Sequence, residues 1–135
     1  MSAAQNPNKQ PVVDAAKAPI TPYGSSMIVS GSTVYLAGAI ADKGGKIIDG
    51  DIQAHTKQVF SNVADRLSVI GLGLEDVVSL TIYLSNYESD FASMNVAYGE
   101  AFAHVAEKPC RTCVGVADLP AGTDIEVTCV AVKRS

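Results

Sequence analysis

Tryptophan is absent from this 135-residue chain, aromatic residues make up only 6% of it, and charged residues only 18%, against about 25% in average composition. With hydrophobic residues at 47%, the shortage of charge excludes a disordered chain and predicts apolar surface covered by a partner. Basic excess is missing too: the net charge is −4, so no positive field draws in a phosphate backbone, and a nucleic-acid reader is disfavoured. Three cysteines, an odd number, do not make a disulfide scaffold and fit a reducing compartment. The opening MSAAQNPNKQPVVDAA has no apolar core, and no arginine occurs before Arg66. Secretory and mitochondrial leaders are therefore not expected, and the cytoplasm is the expected compartment, with the mitochondrion left open. No apolar run is long enough to cross a bilayer, so no membrane partner is expected. A chain of this length forms one compact domain that buries roughly two-thirds of its unfolded surface.

Residues 1–17 are polar and read as a flexible arm; residues 18–135 read as the single domain. Met27-Ile28-Val29 and Thr33-Val34-Tyr35-Leu36 form a hairpin around Gly31-Ser32, a pair suited to a type II′ turn. Turns follow at Lys43-Gly44-Gly45 and Asp49-Gly50. Ile52, Thr56, Val59, Val63, Leu67 and Ile70 make one helical stripe, with Asp51 as N-cap and Gly71 as the stop. Val77 to Leu84 is a strand with Val78, Leu80, Ile82 and Leu84 on one face. Phe91, Met94, Tyr98, Phe102 and Val105 mark a second helix, ending before Pro109. Arg111 to Val116 and Ile125 to Val132 complete the order β-β-α-β-α-β-β. The expected class is α+β: one mixed sheet with two helices on one face. The other face is left open to further subunits, which predicts a homo-oligomer.

Arg111 begins a strand in which alternation puts Arg111, Cys113 and Gly115 on one face. Glu126 interrupts an apolar strand, and a charge inside an apolar sheet is costly unless paired or bound. Two readings are open. One is a structural Arg111–Glu126 pair across neighbouring strands; the other is a guanidinium fork for a substrate carboxylate, with Glu126 handling water or a proton. Cys110-Arg-Thr-Cys113 matches C-x-x-C, but residues three apart on a strand point to opposite faces, against a disulfide or a shared metal. His55 and His104 read as solvated helix-face residues, not an acid–base pair, and no metal site is expected. Lys43-Gly44-Gly45-Lys46 lacks P-loop spacing. Asn95 borders the second helical stripe and reads locally as a backbone-bonding residue; Tyr23 reads as a packing aromatic.

Taken together these residues resemble a known family. Pro109-Cys110-Arg111-Thr112-Cys113-Val114-Gly115-Val116-Ala117-Asp118-Leu119-Pro120-Ala121-Gly122-Thr123-Asp124-Ile125-Glu126-Val127 resembles the C-terminal signature of the Rid/YjgF/UK114 family, which includes the reactive-intermediate (enamine/imine) deaminases. Thr21-Pro22-Tyr23, Ala37-Gly38-Ala39-Ile40 and Phe91-Ala-Ser-Met-Asn95-Val-Ala-Tyr98 resemble its other motifs, and the match spans about residues 18–133. The resemblance implies a chorismate-mutase-like fold in a homotrimer with clefts between subunits. It implies that Arg111 holds the carboxylate of a 2-imino or 2-enamino acid, steadied by backbone N–H groups near Gly38 and Cys113. Glu126 would activate water, Tyr23, Ala39 and Asn95 would line the pocket, and no metal or cofactor would take part. The products would be a 2-oxo acid and ammonia. Ala37 and Ala39 depart from the family's serine and glutamine, which predicts a roomier pocket and a bulkier substrate. Other readings are a non-catalytic small-molecule-binding or protein-holding module, and an enzyme acting otherwise on an imine intermediate. The endoribonuclease or translation-inhibitor role assigned to some relatives is disfavoured by the acidic balance.

Overall fold

A computed structural model describes residues 4–135. Its strands are β1 (Gln10–Pro11), β2 (Ile20–Thr21), β3 (Gly24–Ser25), β4 (Met27–Ser30), β5 (Thr33–Ile40), β6 (Asp42–Lys43), β7 (Lys46–Ile47), β8 (Val77–Leu84), β9 (Cys110–Gly115) and β10 (Ile125–Val132), with helices α1 (Ile52–Ser68) and α2 (Tyr87–Ala101). Six strands form one sheet in the order β1-β4-β5-β10-β8-β9. Among the described residues only β8 and β9 run parallel, so the sheet is mixed and the class is α+β.

The β4–β5 hairpin turns at Gly31-Ser32, closed by the Ser30–Thr33 pair. Gly31 has φ +61°, the positive value that the first central residue of a type II′ turn requires. Helix α1 starts where the Asp51 carboxylate accepts from Ala54 N at 3.0 Å. It ends as the Leu72 N–H returns to Leu67 O at 3.0 Å beside Gly71. Its buried stripe, Ile52, Thr56, Val59, Val63 and Leu67, packs with Met94, Phe102 and Val105 onto Leu36, Leu80, Ile82, Leu84, Ile125 and Val127. Both helices therefore cover one face of the sheet. Burying these side chains at about 1.5–3 kcal/mol each is the main term holding the fold together.

Several features differ from the sequence expectation. The arm is tied down from residue 10 onward: β1 pairs with Ile28 and Val29, and Ala18 is fully buried. Residues 1–3 of that arm lie outside the described residues. In β8 it is Val77 that enters the core, while Val78 is 42% exposed. The register against β10 shifts at this point, making Val78 an extra residue, and such a bulge reverses the alternation. Finally, β9 is not the neighbour of β10; β8 lies between them.

Candidate active site

Edge strand β9 presents Arg111 opposite Leu80 and Cys113 opposite Ile82, partners whose side chains are in the core, so both face the helices. The Arg111 guanidinium donates through Nη1 to Asn95 Oδ1 at 2.7 Å and lies 4.7 Å from the centroid of the Tyr98 ring. Asn95 and Tyr98 are three apart on α2, and hence share a helix face. One receives a guanidinium N–H and the other supplies a π-surface for the cation. Among the described residues, no carboxylate lies within ion-pair distance of Arg111, and the residue is exposed. It is an oriented cation with donors to spare. Beside it, burial pushes the Cys113 thiol up, opposed by the Arg111 charge. The Tyr98 hydroxyl is raised by the same burial, against the same charge.

Glu126 lies on the opposite face of the sheet. Its neighbours Ile125 and Val127 are fully buried, so alternation turns the carboxylate away from the helices. It lies against Gly38 of β5: a Cβ built on Gly38 would stand 2.8 Å from the Glu126 carboxyl carbon and collide with its oxygen. The atoms met are the far end of the Glu126 side chain, so a larger residue at this position would require that carboxylate to move aside. Burial raises the Glu126 pKa above the usual carboxylate value, which favours the proton-carrying form. The charge pair read between Arg111 and Glu126 is thus corrected: the two residues are on non-adjacent strands and opposite faces.

Ala37 and Ala39 do not share a face either. The β5–β10 register shifts between Val127 and Cys129, so Leu36 and Ala39 are both inward. Ala39 is 1% exposed in the core, which removes its side chain from the pocket lining, while Ala37 is exposed beside Gly38. Tyr23 is 99% exposed, so it does not pack within its own chain as a core aromatic would. His55 is also corrected. It is 8% exposed, with Nδ1 2.7 Å from Asp124 Oδ1 and Nε2 2.8 Å from Ile48 O. His104 is exposed, 3.7 Å from Glu75 Oε2.

The chain thus gathers Arg111, Asn95 and Cys113 into one half-site, and Gly38, Ala37 and Glu126 into another across the sheet. Tyr98 completes the first and was not singled out from the sequence for the site; its i+3 spacing from Asn95 is the available signal. A cavity of about 620 Å³ opens at the start of α2, lined by residues of Leu84–Ser89 and Gly115–Ala117, and touches none of these groups. Among the described residues, no cluster of His, Cys, Asp and Glu could hold a metal, and no helix is long and apolar enough to cross a membrane.

A mixed α+β sheet with two helices on one face and polar half-sites on its two sides defines the class. A family model described as Endoribonuclease L-PSP matches residues 13–133. A RutC family protein of Pyrococcus horikoshii is 40% identical over 121 residues, 88% of this chain and 93% of that protein. The crystal structure of yeast Mmf1 aligns with a TM-score of 0.85 at 31% identity, covering 93% of this chain and 99% of that one. The crystal structure of E. coli TdcF with bound serine aligns at 0.81 and 29%, covering 92% and 99%. The chain belongs to the Rid/YjgF/UK114 family.

Proposed function

We propose that this protein is a cofactor-independent hydrolase that converts 2-imino and 2-enamino acids to 2-oxo acids and ammonia. The observation that carries this reading is Arg111, an exposed guanidinium with no carboxylate partner among the described residues, oriented by Asn95 and Tyr98. A planar fork in that state matches a carboxylate bidentately. The serine bound in the E. coli relative is a small molecule of the same carboxylate class.

Because Arg111 and Glu126 face opposite sides of one sheet, the working site combines Arg111 of one copy with Glu126 of another. A homotrimer with clefts between copies meets that need. The open sheet face supports such an assembly: Tyr35, Val78, Val114 and Val132 stand exposed. In the cleft, Arg111 takes the substrate carboxylate, and backbone N–H groups near Gly38 and Cys113 steady it. An enamine first takes a proton on carbon to become the iminium. Water then adds its oxygen to the C=N carbon while Glu126 accepts a water proton, giving the carbinolamine. Glu126 returns that proton to nitrogen. The C–N bond breaks, its electron pair leaves with ammonia, and the hydroxyl proton is lost as C=O forms. One water is consumed and one ammonia released. No cofactor is called on, since the iminium carbon is already electrophilic.

Ammonia release from 2-iminobutanoate generated in situ tests the reading. Arg111→Ala is expected to lower turnover at least about 100-fold, two charge-assisted hydrogen bonds being worth about 1.5–3 kcal/mol each, with the assembly intact. Full activity in that variant overturns the carboxylate clamp. One observation favours a second reading: at Ala37 a methyl group replaces the family hydroxyl beside Gly38 and Glu126, which suits a binding module or a bulkier substrate. Calorimetric binding of 2-oxo acids without turnover of any imine would support the binding module. The endoribonuclease activity in the family model's description sits poorly with a net charge of −4.

A further inference from the structure

Beyond Ala37, whose N–H is taken by Ser26 O at 2.9 Å, no strand of the sheet flanks β5 on the side away from β10. A polar row on α1 caps that edge. Gln58 donates to Asn62 Oδ1 at 2.8 Å. Asn62 Nδ2 lies 3.0 Å from Ile40 O and 2.9 Å from Asp42 O. One further turn along, Arg66 Nη1 donates to Ala37 O at 2.9 Å. Only three arginines occur in the chain. Arg134 is engaged with Glu75 and Asp76, and Arg111 lies in the first half-site. Among the described residues, Arg66 has no ion-pair partner, and burial lowers its pKa against the opposing charge of Asp42. A half-buried cation is costly unless nearby charges and hydrogen bonds offset it, and Ala37 O is the oxygen that Arg66 reaches among the described residues.

The oxygen that Arg66 holds belongs to the peptide joining Ala37 to Gly38. That peptide is planar, so fixing its C=O fixes the direction of the Gly38 N–H. We infer that Arg66 is a positioning residue: by gripping Ala37 O it aims the Gly38 N–H at the substrate carboxylate and so sets substrate affinity. The inference rests on the Gly38 peptide being part of the carboxylate cradle.

The test measures 2-oxobutanoate binding by calorimetry, 2-iminobutanoate turnover and the thermal midpoint in wild type, Arg66→Met and Arg66→Lys, with Arg111→Ala as the reference. Arg66→Met is expected to weaken binding and raise KM about ten-fold while kcat stays within about two-fold, the signature of lost uniform binding. Arg66→Lys keeps a donor in reach of the carbonyl and is expected to recover most of the loss. A purely structural Arg66 would lower the midpoint without moving KM. Binding and KM within two-fold of wild type in folded Arg66→Met therefore overturn the inference. If Arg111→Ala abolishes binding in that same experiment, only the role of Arg66 falls; if Arg111→Ala also binds normally, the carboxylate cleft itself falls. Should Arg66→Met not fold, Arg66→Gln, whose amide is too short to reach the carbonyl, takes its place in the comparison.

Discussion

Glu126 is the residue whose surroundings oppose its charge most directly. It is half-buried against Gly38, and burial raises its pKa. The folded state therefore binds a proton more readily than the unfolded chain. Stability should fall as pH climbs from the ordinary value of 4.5 through the raised one. Turnover needs the ionised form as base and should rise over that same interval. Glu126→Gln should abolish turnover, leave 2-oxo acid binding in place, and match or exceed wild type in thermal midpoint at pH 7; a lowered midpoint would contradict the burial argument. The two alanines separate equally well. Ala37→Ser restores a hydroxyl on the open side and should tighten small substrates by about 0.5–1.5 kcal/mol, read as KM. Ala39→Gln forces an amide into closed core and should destabilise by about 1–3 kcal/mol, read by denaturant titration. Arg111 and Glu126 were legible as site candidates because charges in apolar strands are costly unless paired or bound, whereas Gly38 and Asn95 entered only through the family resemblance, since a strand glycine and a helix-face asparagine are ordinary by themselves. Which of them meet was not legible. Alternation places Ala37 with Ala39, and only the bulge opposite Thr128 separates them.

At the scale of elements, the His55 contacts tie the start of α1 to both neighbouring loops. Asp124, just before β10, approaches one ring nitrogen and Ile48 O the other. Two acceptors need two donors, so the ring satisfies both only as the imidazolium. Desolvation opposes that charge, but the Asp124 hydrogen bond, the Ile48 carbonyl and the Asp51 charge together raise the pKa above 6.5. The stabilisation is present in full below the unfolded value and is lost as pH rises through the raised folded one. Denaturation midpoints should therefore decline across that window in wild type and flatten in Asp124→Asn. Asp124→Ala should cost about 1.5–3 kcal/mol below it, the usual worth of a hydrogen bond to a charged group. A pH-independent wild-type midpoint would show that the ring stays neutral. Periodicity made α1 and α2 readable, since stripes such as Ile52-Thr56-Val59-Val63-Leu67 depend only on local spacing. The His55–Asp124 contact spans 69 residues: the spacing of His55 from Ile52 and Val59 puts it on the buried stripe of α1, but nothing local names Asp124 as its partner. Strand order escaped for the same reason: β9 and β10 follow each other in sequence, yet β9 joins β8 in parallel at the sheet edge.

For the whole molecule, a helix-free sheet face with exposed Tyr35, Val78 and Val132, and a Tyr23 that is 99% exposed, are surfaces that association would cover. Light scattering should give three times the 14.0 kDa chain mass. A charge at Val130, on the open face of β10, should reduce the mass and the activity together, although Val130 belongs to neither half-site. The sharper test concerns which copies supply each site. Arg111 and Glu126 cannot meet through their own sheet, so the proposed site requires each cleft to take Arg111 from one copy and Glu126 from the next. Arg111→Ala and Glu126→Gln homo-oligomers should each be inactive. Unfolded together in equal amounts and refolded, they should regain activity, because about one cleft in four then joins an intact Arg111 to an intact Glu126. If both residues came from one copy, every cleft in the mixture would still lack one of them and no activity would return.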